Sequence, residues 1–316
     1  MRLEEIGFYT LEDARVEQAS NSSPMWRCEI LVTKKCNFNC PYCRHVGAHK
    51  SLEEVKSLID LWAETGLRNI RFSGGEPTLH PDLEAMVAYA RQKGALRVAV
   101  STNGSAAWEL YKRLTAAGVD DFSVSLDACC ASEGDKMAGG IYGAWEKVID
   151  NIRRLSGRVY TTVGIVVTPE TADKLTETVM FAHDLGVHDI RVITAAQWDG
   201  KIKLAIPQGV LDEHPILAYR IANIINGRSV RGIQPEDSDR CGLITDDSAV
   251  MGDEHFPCII HMREGGKAIG KVGPNMRQER VEWAKTHDTH SDPICLKNCL
   301  DACVEYNNKF AERHGN

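Results

Sequence analysis

Six short runs rich in Val and Ile recur between residues 28 and 193, and helical patterns fill the spaces between them. The runs are 28–33, 69–72, 97–102, 121–126, 159–167 and 189–193. Apolar stretches of this length read as strands buried on both faces. The intervening helical patterns are 51–65, 81–93, 106–117, 142–155 and 171–185. The first opens on Ser51 with Glu54 three residues on, which is a capping box. The second carries Pro81 in its first turn, and Gly66, Gly94, Gly118 and Gly186 stand where helices stop. Strands that alternate with helices pair in parallel. The pattern predicts an α/β fold, a partial (βα)6 TIM barrel, with a doubly wound open sheet as the competing topology.

After about residue 200 the composition changes. Residues 228–280 are rich in Gly, Arg and Asp and poor in apolar runs, and five of the 11 cysteines fall after residue 240. We read 1–210 as a core domain with an N-terminal strap over 1–26. Residues 211–316 form a connecting helix, 211–225, and a small cysteine-rich module. So little apolar surface calls for a staple, and a metal cluster is one. Eleven cysteines in a reducing compartment point to metal more than to disulfides. No apolar run has the roughly 20 residues of a membrane span, and the acidic N-terminus lacks the apolar core of a signal peptide. A cytoplasmic protein is expected. The net charge of −7 argues against a general electrostatic grip on nucleic acid.

The chemistry begins just after the first strand, at Cys36-Asn37-Phe38-Asn39-Cys40-Pro41-Tyr42-Cys43. Three thiolates so close in sequence can converge on one metal centre. With His45 or His49 as a fourth ligand the loop would suit zinc. Without one it would suit an iron–sulfur cluster that keeps an iron open. In barrels of βα units the active site lies at the C-terminal strand ends. The cysteine loop follows strand one, Ser73-Gly74-Gly75-Glu76-Pro77 follows strand two, Thr102-Asn103-Gly104 follows strand three and Asp127-Ala128 follows strand four. These motifs therefore share one face. Ser101 with Asn103, and Ser125 with Asp127, are two apart and point the same way from their strands. Read singly, the glycine-rich stretch and Asn103-Gly104 are turn chemistry. Cys129 and Cys130 come next. They are either ordinary loop cysteines or thiols placed to donate hydrogen.

The C-x3-C-x2-C loop with Tyr42 before its last cysteine, together with Gly74-Gly75-Glu76-Pro77, resembles the signatures of the radical SAM superfamily. The spacing of the strand-end motifs is similar to its MoaA-like, SPASM/Twitch branch. The resemblance implies that Cys36, Cys40 and Cys43 hold a 4Fe–4S cluster whose open iron binds S-adenosylmethionine (SAM). It implies SAM contacts from Tyr42, Gly74, Gly75, Glu76, Ser101, Asn103, Ser125 and Asp127, with Glu76 accepting from the ammonium. The reduced cluster would cleave SAM to a 5′-deoxyadenosyl radical. That radical would take a hydrogen atom from a peptide or small molecule, giving oxidation, cross-linking or rearrangement. The electron would come from a donor such as flavodoxin or ferredoxin.

Cys241 and Cys258, which bracket Met251-Gly252-Asp253, are similar to Twitch modules that hold one auxiliary 4Fe–4S cluster. The resemblance implies four protein ligands for that cluster, drawn from these two and Cys295, Cys299 and Cys303. If 294–307 is one helix, Cys295 and Cys303 stand about 12 Å apart, and one cysteine is spare or left to a substrate. Arg263-Glu264-Gly265-Gly266 and the stretch 271–277 either line a substrate entrance or are solvated loop residues. The chain departs from MoaA itself in its terminal C-x3-C-x3-C spacing and in ending without a paired-glycine tail, so GTP cyclisation is not expected. The rival class is an iron–sulfur electron-transfer or scaffold protein, which would have no use for a SAM motif.

Overall fold

The computed structural model describes residues 13–315, except 197, 199 and 201. Six parallel strands form where the apolar runs predict them: β1 (Met25–Thr33), β2 (Leu67–Gly74), β3 (Arg97–Thr102), β4 (Asp121–Ser125), β5 (Tyr160–Val167) and β6 (Asp189–Thr194). Ile30, Ile70, Val98, Phe122, Val163 and Ile190 from these strands are buried in one apolar core. Helices Leu52–Ala63, Leu83–Gln92, Trp108–Ala117, Ala144–Ser156 and Leu175–Asp184 alternate with the strands. Val55, Leu58, Ile59 and Trp62 form the buried stripe of the first, at helical spacing. Its capping box closes fully: Ser51 N donates to Glu54 Oε2 at 2.7 Å and Glu54 N to Ser51 Oγ at 3.3 Å.

Strands β1 to β6 lie side by side in chain order. A doubly wound sheet reverses direction at a switch point, so that alternative is excluded. The observed order is the one a partial (βα)6 barrel requires.

The sheet does not stop at β1. The full order is β6-β5-β4-β3-β2-β1-β7-β8-β9, with β7 at Asp247–Met251, β8 at Glu254–Phe256 and β9 at Gly270–Lys271. Strand β7 pairs in parallel with β1, Arg27 opposite Asp247 and Leu31 opposite Met251, and β8 and β9 continue antiparallel. The cysteine-rich module thus extends the core's own sheet. Apolar runs are scarce here, and buried charge takes their place. Arg280 is fully buried and donates to the carbonyls of Ile244 (2.9 Å), Phe256 (2.8 Å), Pro257 (3.0 Å) and Asp247. Arg15 comes from the strap helix Asp13–Gln18, is buried over the Tyr306 ring, and pairs with Asp246 and with Asp247 at 2.6 Å. The described part of the strap therefore packs on the module, against helix Asp301–His314. Residues 1–12 of the expected strap lie outside the described residues.

Two helices expected to be continuous are broken. The connecting helix is split into Gln208–Glu213 and Pro215–Ile225, because Pro215 has no N–H with which to continue the first. Asp189 caps the second, accepting from Ile216 N at 3.0 Å. The expected helix 294–307 is split into Pro293–Asn298 and Asp301–His314. Pairing with residues 230–232 pulls the break out of helical geometry. Gly232 N donates to Cys299 O at 2.9 Å, Asp301 N to Val230 O at 3.2 Å, and Leu300 bridges Arg231. Cys295 and Cys303 stand on different helices, so the 12 Å spacing of a straight helix does not apply.

Candidate cluster and cofactor site

The loops after β1 to β4 open on one cavity. Cys36, Cys40, Tyr42, Cys43, Gly74, Gly75, Ser101, Asn103, Ser125 and Asp127 all line it. The strand-end rule therefore collects every expected core residue except Glu76. Phe38, Met137, Ala138, Trp145 and Val148 form its apolar wall. Helix Ala131–Met137, which no sequence pattern announces, brings Met137 there. Cys129 and Cys130 do not line it. Cys28, inside β1, is fully buried core.

Backbone N–H groups already point at the loop sulfurs. Phe38 N lies 3.4 Å from Cys36 Sγ and His45 N lies 3.3 Å from Cys43 Sγ. Burial pushes the Cys40 thiol up to about 12, so a bound metal, not the protein, must hold it as thiolate. Among the described residues no histidine joins the three thiols: His49 stacks on His80 at 4.8 Å, and neither His45 nor His49 lines the cavity. A zinc site in this loop lacks its fourth ligand. The donor set fits a cluster held by three thiolates with one position facing the cavity.

The two glycines are needed for a contact within the protein. A Cβ on Gly75 would lie 2.4 Å from Lys35 O and 2.7 Å from Lys34 O, and one on Gly74 (φ 144°) would lie 2.3 Å from Thr33 O. They let the loop after β2 lie flat on the loop after β1, tied by Gly75 N to Thr33 O at 2.7 Å and Glu76 N to Lys35 O at 2.8 Å. Gly75→Ala is expected to cost about 1–3 kcal/mol by overpacking. It should also weaken iron retention, because the displaced backbone carries Cys36. Urea melts and iron content check both.

Glu76 corrects the sequence expectation. Its carboxylate is buried away from the cavity and accepts from Thr78 N (3.1 Å), Thr78 Oγ1 (2.6 Å), Thr102 Oγ1 (2.8 Å) and Asn103 N (2.6 Å). Buried and outside the cavity lining, it does not face the place where a ligand ammonium would lie. Its role is to hold Asn103. A polar ring missed in the sequence completes that placement. Asn103 Nδ2 donates to Asn37 Oδ1 at 2.9 Å, Asn37 Nδ2 to Ser105 Oγ at 2.8 Å, and Ser105 Oγ to Asn103 Oδ1 at 2.7 Å. Asn37 sits inside the cysteine motif, which was the available signal. Ser101 Oγ accepts from Arg71 Nη1 at 2.9 Å, and Ser125 is exposed.

Asp127 ties the cysteine loop to β4. It accepts from Tyr42 OH at 2.5 Å and from Val166 N at 2.8 Å. Burial pushes its carboxyl up to about 6, against those two hydrogen bonds, which pull it down. The folded chain thus keeps this proton to higher pH than the unfolded one, where it leaves near 3.8. Its contribution to stability is full below about pH 4 and is lost as pH rises through about 6. The loss is ~3 kcal/mol for two pKa units. Asp127→Asn should flatten that part of a stability–pH curve, measured by urea melts.

Arg263 reaches the same cavity from helix Ile259–Arg263 of the C-terminal module, and it is the cationic residue among those lining it. The neighbouring Glu264 pairs with Arg44 at 2.6 Å, joining the module to the cysteine loop.

In the module, burial pushes Cys241 up to about 12 and Cys258 up to about 11, with Cys303 adding charge beside each. Cys299 is pushed up by its hydrogen bond with Cys303, by burial, and by Cys303, Cys241 and Cys258 as charged neighbours. These four sulfurs form one mutual group. Burial, then Cys241, Cys258 and Asp292, push Cys295 up, so it too lies beside the thiol group.

A parallel sheet with a three-thiol loop at its strand ends defines a class of iron–sulfur domain, and comparison with known proteins is specific about which. The Radical SAM superfamily model matches residues 30–182. A probable GTP 3′,8-cyclase of Saccharolobus islandicus (strain M.14.25 / Kamchatka #1) is 29% identical over 177 residues, 54% of this chain and 57% of that protein. An AdoMet-dependent heme synthase of Methanosarcina barkeri is 32% identical over 163 residues, 49% of this chain and 46% of that protein. The chain thus spans about half the length of these curated relatives. Among solved structures, anSMEcpe with bound AdoMet aligns at a TM-score of 0.60 and 15% identity, covering 92% of this chain and 93% of that one. Streptococcus suis SuiB bound to S-adenosylmethionine aligns at 0.57 and 14%, covering 87% and 67%. Residues 30–182 are a radical SAM domain. Such a domain implies a 4Fe–4S cluster and SAM. Among the described residues, no helix is long and apolar enough to cross a membrane.

Proposed function

We propose that this chain is a radical SAM enzyme in which Cys36, Cys40 and Cys43 hold the SAM-binding cluster. One observation carries the proposal: three thiols without a fourth protein ligand face a cavity bounded by the ends of β2, β3 and β4. When bound, the cluster supplies the electron that splits SAM into methionine and a 5′-deoxyadenosyl radical. The chain's own residues place and shield the ligands. Gly74, Gly75, Ser101, Asn103 and Ser125 line the SAM side, with Tyr42 and Asp127 bracing the loop. Met137, Trp145 and Val148 keep water from the reacting atoms. Arg263 is placed to hold an anionic group of the substrate. An electron carrier or scaffold would need neither the cavity nor its polar strand ends.

The mutual thiol group of Cys241, Cys258, Cys299 and Cys303 supports a second, auxiliary 4Fe–4S cluster with four protein ligands. The substrate class is a peptide or a small molecule. One SuiB structure holds a precursor peptide, SuiA, and one anSMEcpe structure holds a Kp18Cys peptide, while the sequence relatives bear the names of a GTP cyclase and a heme synthase. The reaction is an oxidation, cross-link or rearrangement, and a small flavodoxin or ferredoxin is the electron donor. The test is anaerobic reconstitution, reduction in the presence of SAM, and mass spectrometry for 5′-deoxyadenosine. Its absence from a protein with a fully formed cluster would sink the proposal.

A further inference from the structure

Four potential metal ligands from three separate segments meet in the C-terminal module, beside the thiol group. Asp292 caps helix Pro293–Asn298, and its Oδ1 accepts from Ile294 N and Cys295 N. Its other oxygen, Oδ2, is 3.1 Å from His261 Nε2 and 3.2 Å from His287 Nε2. Cys295 Sγ lies 3.8 Å from His287 Nε2. The ligand atoms of His261, Asp292 and Cys295 all fall within 4.8 Å of one another.

We propose that His261, Asp292, Cys295 and His287 form a mononuclear site for a divalent transition metal of zinc type. Tetrahedral zinc with bonds of about 2.0–2.3 Å separates neighbouring ligand atoms by roughly 3.3–3.6 Å. The two Asp292–His edges and the Cys295–His287 edge are near that size. His287 stands outside the group whose atoms all lie within 4.8 Å of one another, and its ring would turn in towards His261 on binding. Two imidazoles, one carboxylate and one thiolate are a borderline-soft donor set, suited to zinc and not to calcium or magnesium. Hydrogen bonding within the cluster does not account for all of it. The Nδ1 atom of His261 is buried without a partner, so the ring's polar anchorage runs through Nε2. Gly266 makes room for that ring, since a Cβ there would lie 2.1 Å from His261 Nδ1. His287 is held from its other face, stacked on Trp283 at 3.7 Å. On binding, each imidazole keeps a single proton, carried at Nδ1, and the Cys295 thiol releases its proton to solvent.

The site also gives the fifth distal cysteine a task. Cys295 leaves Cys241, Cys258, Cys299 and Cys303 as a complete cluster set, and its metal would pin helix Pro293–Asn298 to helix Ile259–Arg263, the helix that carries Arg263.

The test uses the full chain, anaerobically reconstituted with iron and sulfide. It is incubated with zinc and desalted, and both metals are counted by mass spectrometry. Wild type should keep about one zinc per chain. Cobalt in its place should give the visible bands of a tetrahedral site and a near-ultraviolet thiolate charge-transfer band. His261→Ala/His287→Ala and Cys295→Ser should each lose the zinc while iron stays at the wild-type value. Asp292→Asn keeps a helix cap and should lose zinc without loss of fold by circular dichroism. Zinc absent from wild type, zinc retained equally by the variants, or a fall in iron in Cys295→Ser would overturn the site. These readouts need no SAM turnover, so they stand apart from the deoxyadenosine test.

Discussion

Replacing Cys36, Cys40 and Cys43 together by alanine should remove about four irons per chain, leave about four, and abolish 5′-deoxyadenosine formation. The first loss follows from the cavity, where these thiols are the only sulfur ligands among the residues lining it. The remainder follows from the separate burial of the distal sulfurs, four of which act on one another. The fold itself should hardly notice. The loop cysteines are exposed or half-buried, and the N–H contacts to Cys36 and Cys43 are local. A change within about 0.5 kcal/mol is expected for such positions. Iron assay, sulfide assay and a urea melt on one preparation read all three outcomes. Loss of all iron would show that the distal module holds no cluster of its own.

Glu76→Ala should be far more damaging than Glu76→Gln, and for a structural reason. The carboxylate is the acceptor for Thr78 N, Thr78 Oγ1, Thr102 Oγ1 and Asn103 N. Alanine leaves Thr78 N, Thr78 Oγ1 and Asn103 N without this acceptor, at about 1–3 kcal/mol each before any relaxation, while Thr102 Oγ1 keeps Tyr111 OH at 3.2 Å. A total loss of about 4 kcal/mol or more is expected, at the upper end for a single substitution. Glutamine keeps the shape and one carbonyl but turns an NH2 group towards donors, at a cost of about 1–3 kcal/mol. Both variants should weaken SAM binding in equilibrium dialysis, in the order of their stability loss, because Asn103 is held through this carboxylate. An alanine variant of wild-type stability that no longer binds SAM would mean that Glu76 touches the ligand directly.

The core was legible because β1 to β6 are runs of β-branched residues bounded by capped helices. Strand β7 was not. Asp247-Ser248-Ala249-Val250-Met251 shows no apolar period, and Asp247 is tolerated inside only because Arg15 and Arg27 reach it at 2.6 and 2.5 Å. Those partners lie more than 200 residues away, and no local window contains them. The break at Cys299 was hidden for the same reason, being set by pairing with Arg231. At the site, the strand-end rule found the lining residues from their positions alone. It could not show that Glu76 points inward, because residue type and position do not say which way a side chain turns. Arg263 was noticed only within the stretch Arg263-Glu264-Gly265-Gly266, which had two possible roles. The pairing of β7 with β1 is what brings its module to the cavity.

That same pairing has a consequence for how the chain is made. Arg27 on β1 waits for Asp247 on β7 until 220 further residues have been synthesised. Until then the edge of β1 is an open ladder of N–H and C=O groups, next to a loop of bare thiols, in a partly folded chain. Contacts this distant in sequence close late and slow folding. The step that seals the sheet also brings Cys241 and Cys258, which flank β7, into place. Closing the sheet and placing these two distal thiols are therefore one event on the folding path.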